Sequence, residues 1–207
     1  MPARADDNYV VGRRIVIQGA TGSGKTTLAR RLGEALGVGV LQLDSIRHEH
    51  GWDSVPWDEM RERMEAFVAA HPEGWVSEGN YSRVNDVTLS RADTLISLDV
   101  PWRVSFVRLF KRTVARAIDQ RPLYNDEGPH ESWRASFFSR QSILLWSITN
   151  HQKRKRRTVE AFAKSAPGTR LIRLRTSAEV DALVAAVSIT GGARPLQTGS
   201  GVSPDSK

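Results

Sequence analysis

Cysteine is absent from all 207 residues. That excludes disulfides and thiolate metal sites, and leaves oxygen and imidazole as the metal donors available. Long apolar runs are missing too. No stretch approaches the roughly 20 residues a membrane helix needs, and Met1-Pro2-Ala3-Arg4-Ala5-Asp6-Asp7 has no apolar stretch of the signal-peptide kind. The expectation is a soluble, cytoplasmic protein without a membrane partner. Internal repeats are lacking, as is any recognised nucleic-acid-binding fold or helicase motif set. The histidines at 48, 50, 71, 130 and 151 have no zinc-ligand spacing, because His48 and His50 alternate too closely for one helix face and no third ligand follows at a suitable interval. They read as loop or surface residues.

What is present is a glycine-rich loop in a specific setting. Gly19-Ala20-Thr21-Gly22-Ser23-Gly24-Lys25-Thr26 fits G-x-x-x-x-G-K-[ST], follows the apolar strand candidate Ile15-Val16-Ile17 and opens a helix candidate from Thr26 to Leu36. Glycines at 19, 22 and 24 let the backbone take angles closed to other residues and bring its amides close to a polyphosphate. The helix N-terminus adds partial positive charge at the same spot. Residues 19 to 26 together with Thr27 are therefore the candidate nucleotide-binding set. Within it Lys25 reaches the β- and γ-phosphates, and the Thr26 hydroxyl is a magnesium ligand. An ordinary Gly/Ser turn would not need the preceding strand, the lysine and the hydroxyl all at once.

Charge is placed unevenly. The net value is +7, yet residues 103 to 157 alone hold thirteen Lys and Arg against four acids, a surplus of +9 that leaves the remainder slightly acidic. Such a segment serves as a clamp over a small polyphosphate, as a patch for nucleic acid, or as a plain solvated surface.

Strand candidates recur along the chain at Val40-Leu41-Gln42-Leu43, ending at Asp44, then at Trp75-Val76-Ser77, Thr94 to Leu98 and Arg170 to Leu174. Residues 45 to 56 read as a loop. Trp57, Met60, Met64, Phe67 and Val68 recur at helical spacing, which predicts an amphipathic helix over 57–70 with Asp58 and Glu59 in its first turn. Buried-type strands alternating with helices argue for a parallel sheet covered on both faces, with the ligand at the carboxyl ends of the strands. Asp44 and Glu78 fall just past such ends. The length suits one domain, expected over 13–189, with a flexible N-terminus at 1–12 and a disordered Gly/Ser/Pro-rich tail at 190–207.

The phosphate loop, Leu43-Asp44 followed by Gly51-Trp52, the segment from Trp75 to Ser82, and Asp99-Val100-Pro101 followed by Arg108 and Arg112 together resemble the adenylate-kinase-like group of P-loop kinases. More narrowly they resemble bacterial proteins labelled DNA topology modulation proteins. The resemblance spans about residues 13 to 175. It implies an α/β P-loop NTPase fold, a five-stranded parallel sheet in order 2-3-1-4-5 with a helical lid over about 108–157, and ATP with Mg2+ as cofactors. In that group the first arginine of a pair such as Arg108 and Arg112 packs on adenine and the second reaches a phosphate. Glu78 takes the place of an aspartate that orients magnesium through water, and is one methylene longer. An acid at the end of the second strand, here Asp44, positions or deprotonates a hydroxyl acceptor in related kinases. Its alternative role is a helix or turn cap. Arg47 and Arg83 are candidate contacts to an acceptor phosphate, which keeps a nucleotide acceptor open.

Residues 137 to 163 contain no Gly or Pro and read as one helix, on which Trp146, Asn150, Arg154 and Arg157 share a face. That face is expected to look into the site and carry Arg154 and Arg157 to the transferring phosphoryl group. Two function classes stand side by side. One is a small-molecule kinase acting on an unidentified nucleoside, nucleotide or other hydroxyl or phosphate acceptor. The other is a nucleic-acid-associated ATPase or regulatory nucleotide-binding protein, which the motifs do not favour. Neither the acceptor nor the oligomeric state is legible.

Overall fold

The computed structural model describes residues 9–48, 54–119, 163 and 165–191. Five strands form one sheet: β1 (Arg14–Gly19), β2 (Gly39–Gln42), β3 (Trp75–Glu78), β4 (Thr94–Leu98) and β5 (Arg170–Leu174). Their order across the sheet is β2-β3-β1-β4-β5, and every pairing is parallel. The expected α/β sheet and its 2-3-1-4-5 order are what the chain adopts.

Helices between the strands are α1 (Lys25–Leu36), α2 (Leu43–Arg47), α3 (Trp57–Ala70), α4 (Asp86–Leu89) and α5 (Trp102–Asp119), and α6 (Ser177–Gly191) follows β5. Parallel neighbours require crossovers, and the crossover helices cover both faces of the sheet. On one face Ile15, Ile17, Val76, Ile96, Leu98, Ile172 and Leu174 pack against Leu28, Ala29 and Leu32 of α1 and Leu183, Val184 and Val187 of α6. Residues of β1 alternate, so Val16 points the other way, into a cluster with Trp75, Leu89, Ala92 and Leu95 that Phe67 and Val68 of α3 flank. A third cluster joins Leu41 and Leu43 to Met60 and Met64 of α3 and to Val84 and Val87.

Two strand ends differ from the sequence expectation. β2 begins at Gly39 and stops at Gln42, one residue early, because Leu43 and Asp44 turn into α2, where Leu43 is buried against α3. β3 continues through Glu78, so this residue closes the strand and does not follow it. The register explains both ends. Gln42 pairs with Glu78 and Ile17 pairs with Glu78 on the other side, so three neighbouring strands bring their carboxyl ends to one level. Residues 45 to 47, read as loop, belong to α2, and the short helix α4 was not placed from the sequence.

Candidate active site

The turn between β1 and α1 has the shape of a phosphate cradle. Gly22 and Gly24 have φ of 79° and 98°, values that L side chains rarely adopt. Gly22 has a second constraint, since a Cβ there would lie 2.5 Å from the Ser105 carbonyl oxygen on α5, whereas one on Gly24 would meet nothing within 4 Å. The loop is thus seated against α5 on one side and open on the other. The turn is closed by a Ser23 amide bond to the Ala20 carbonyl at 3.1 Å. No side chain caps the start of α1, and no acid occupies its first turn. Its first amides and their share of the helix dipole therefore face the cradle. Lys25 is buried and its Nζ donates to the Ala20 carbonyl at 3.1 Å, which folds the ammonium back over the loop it would complete.

Glu78 stands at the neighbouring strand end with only 2% of its surface exposed. Burying a carboxylate is costly without compensation. Here Thr26 Oγ1 donates to Glu78 Oε1 at 2.9 Å. The two residues read separately as magnesium ligands are therefore in direct contact, across 52 positions of sequence. One hydroxyl and one carboxylate beside a phosphate cradle is the sparse oxygen set that suits Mg2+, which otherwise takes phosphate oxygens and water. No group of three or more His, Cys, Asp or Glu that could hold a metal occurs among the described residues.

The segment after β3 adds two residues that lie inside the quoted Trp75 to Ser82 segment but to which the sequence assigns no role of their own. Asn80 Nδ2 donates to the Gly19 carbonyl at 2.6 Å, and the Gly19 amide donates to Asn80 Oδ1 at 3.4 Å. Tyr81 donates its hydroxyl to Asp44 Oδ1 at 2.7 Å. Asp44 sits in the first turn of α2, whose N-cap residue is Gln42 with no side-chain cap bond. Its carboxylate is thus directed at Tyr81 on the next strand's loop, while Ser45 Oγ donates to the Gln42 carbonyl at 2.7 Å.

Arg47 and Arg83 meet over one indole. The Arg47 guanidinium carbon lies 3.9 Å and that of Arg83 5.3 Å from the Trp57 ring centroid. Arg47 also donates to the Val55 carbonyl. Tyr81 approaches the same indole with centroids 6.0 Å apart at 60°. Arg61 on α3 anchors the loop from outside, donating to the Arg83 carbonyl at 3.1 Å and to both Asp86 oxygens at 2.8 and 2.9 Å. His48, at the C-terminal end of α2, is half-buried. Burial pushes its pKa below the usual imidazole value; nearby Asp44 opposes the shift and Arg47 reinforces it. Spacing alone gave no reason to single out Trp57, Asn80, Tyr81 or His48. The one sequence cue was the aromatic and amide clustered directly behind Glu78.

Arg108 lies on α5 with its Nη2 donating to Ser177 Oγ at 2.8 Å, at the start of α6. The turn there is built as a capping box, with Glu179 Oε2 accepting from the Thr176 amide at 3.4 Å and from the Arg175 amide at 2.6 Å, and Thr176 Oγ1 accepting from the Glu179 amide at 3.2 Å. Arg112 belongs to the same helix, one turn on, but its side chain lies outside the described residues, as do Gly51, Trp52, Trp146, Asn150, Arg154 and Arg157. Most of the expected lid, from residue 120 to residue 157, and the tail from residue 192 lie outside them as well.

A parallel sheet in this order, with a glycine-rich cradle between its central strand and the following helix, defines the P-loop class of nucleotide-binding folds. No protein-family model matches the chain and no curated protein matches it. Among solved structures, a gluconokinase from Sinorhizobium meliloti 1021 is similar at 16% identity and a TM-score of 0.46, over 89% of this chain and 95% of that one. A shikimate kinase from Acinetobacter baumannii in complex with shikimate is similar at 15% identity and a TM-score of 0.47, over 90% and 97%.

Proposed function

We propose that the protein is an ATP-dependent small-molecule kinase, of the adenylate-kinase-like type in its lid and P-loop, that transfers the γ-phosphoryl group to a hydroxyl. The observation that carries this reading is the line of three strand ends. β1 presents the phosphate cradle, β3 presents Glu78 bonded to Thr26, and β2 leads to Asp44. That line of strand ends supports a reading in which a phosphoryl donor and a carboxylate that receives a proton stand at the same edge of the sheet.

In this reading the amides of residues 19 to 26 bind the β- and γ-phosphates, and Lys25 leaves the Ala20 carbonyl to neutralise charge on their oxygens. Thr26 and Glu78 would hold Mg2+, which would supply further charge neutralisation. Asp44 orients the acceptor hydroxyl and takes its proton as the oxygen forms a bond to the γ-phosphorus. The bond from that phosphorus to the β–γ bridging oxygen breaks, and the electron pair leaves with ADP. Arg47 and Arg83 are proposed to receive an anionic group of the acceptor, and Arg108 is proposed to leave Ser177 and lie along the nucleotide base. Arg112, Arg154 and Arg157 are proposed to reach the phosphates from the lid.

The test is ADP release with ATP and Mg2+ against a panel of nucleosides, nucleoside monophosphates, sugars, hydroxy acids and other small hydroxyl compounds. Acceptor-dependent release above the rate without acceptor is the expected result. Release stimulated by DNA or RNA, with binding that weakens steeply as salt rises, would instead favour the nucleic-acid-associated ATPase. Binding of ATP without any turnover would favour a regulatory module.

A further inference from the structure

We infer that Tyr81 is a positioning residue for transfer: its hydroxyl fixes the Asp44 carboxylate through Oδ1 and leaves Oδ2 to receive the acceptor proton. This rests on the kinase reading and extends it to a residue outside the phosphate-binding motif. A carboxylate at the start of a five-residue helix can rotate about its own side-chain bonds. A hydrogen bond of 2.7 Å from a phenol holds one oxygen and so defines where the other one points. Pre-organisation of that kind matters because a misplaced proton acceptor costs rate steeply.

Tyr81 is itself held from several directions. Its carbonyl accepts from the amides of Val84 at 3.2 Å and Asn85 at 3.0 Å, and its ring rests beside Trp57. The residue before it, Asn80, is tied to Gly19 of the phosphate cradle, and the residue before that, Gly79, donates its amide to the Ile17 carbonyl at 3.5 Å. Four consecutive residues therefore serve three tasks. Glu78 meets Thr26, Asn80 meets Gly19 and Tyr81 meets Asp44, so the acceptor carboxylate is placed relative to the donor cradle through one short, fixed stretch.

Tyr81→Phe removes the hydroxyl and keeps the ring on Trp57, so folding is retained. With whichever acceptor of the panel reacts fastest, kcat is expected to fall at least about tenfold while the KM for ATP stays within about twofold. The discriminating measurement is a double-mutant cycle. If Tyr81 acts through Asp44, Tyr81→Phe slows Asp44→Asn no further, whereas a merely structural role multiplies the two losses. Full activity of Tyr81→Phe, or multiplicative losses, overturns the proposal. A second readout does not depend on turnover: the Asp44 carboxyl carbon resonance, assigned by its loss in Asp44→Asn, should move in Tyr81→Phe. An unmoved resonance overturns the proposal even if transfer occurs. A moved resonance in a protein that transfers to no acceptor keeps the bond and sinks the kinase reading alone.

Discussion

The two halves of the site are built by different means. The nucleotide half is one continuous stretch, residues 19 to 26, whose geometry follows from local rules: a strand that ends, two glycines at positive φ and a helix that begins without a side-chain cap. The proposed acceptor half is assembled from α2, α3 and the loop between β3 and α4, and its contacts join Asp44 to Tyr81 and both Arg47 and Arg83 to Trp57. A contiguous cradle is robust to change elsewhere, because its backbone amides and Lys25 all come from one stretch of chain. A composite cleft can be retuned by single side chains while the cradle stays as it is.

The comparison predicts separable failures. Lys25→Ala should have the largest effect, a loss of transfer on the order of a thousandfold or more together with loss of measurable ATP binding by calorimetry. Asp44→Asn should lose roughly a hundredfold to ten-thousandfold in transfer and leave the calorimetric ATP affinity unchanged. If Asp44→Asn weakens ATP binding as much as it slows transfer, the halves are not independent and the division collapses. Full transfer by the same variant would remove the proton-acceptor role.

What was legible in the sequence follows the same line. The cradle, the α/β class and most strand positions were readable because each depends on neighbours within about ten residues. Glu78 and Asp44 were found as residues near strand ends. The bond between Thr26 and Glu78, and the one between Asp44 and Tyr81, arise only when β1, β2 and β3 lie side by side. Tyr81 could equally have been core packing. The end of β2 was misplaced by one residue because Leu43 is apolar in either role, and burial against Met60 and Met64 is what turns it into α2. Trp57 was read as one more member of the apolar stripe of α3. Its ring carries two guanidinium groups because residues 47 and 83 come from elements that share no local pattern with it.

Glu78→Gln sharpens the boundary, since Glu78 sits between the two halves. The amide keeps a partner for Thr26 but removes the negative charge. The Mg2+ concentration for half-maximal transfer should rise by about tenfold or more, while binding of ATP without metal holds or strengthens. An unchanged Mg2+ requirement would show that the buried carboxylate serves the fold and not the metal.

The smallest expected effect belongs to the acceptor half and concerns pH. Burial lowers the pKa of His48 below the ordinary imidazole value of 6.5, so the folded protein holds this imidazole neutral at a pH where the unfolded chain has already taken up a proton. Between the depressed folded value and 6.5 the unfolded state binds more protons, and stability must rise with pH across that window. The contribution is complete above the unfolded value and drains away as the pH falls through the folded one. Asp44 opposes the shift, so the effect is modest. His48→Gln should flatten the corresponding part of the melting-temperature profile between about pH 7 and pH 5. The two profiles should diverge as the pH falls and the buried imidazole is forced to take up a proton, and the calorimetric ATP affinity of the two should be equal. A parallel pair of profiles would mean that His48 titrates alike in both states, and that the cleft around Asp44 is wetter than its packing against Tyr81 and Arg47 implies.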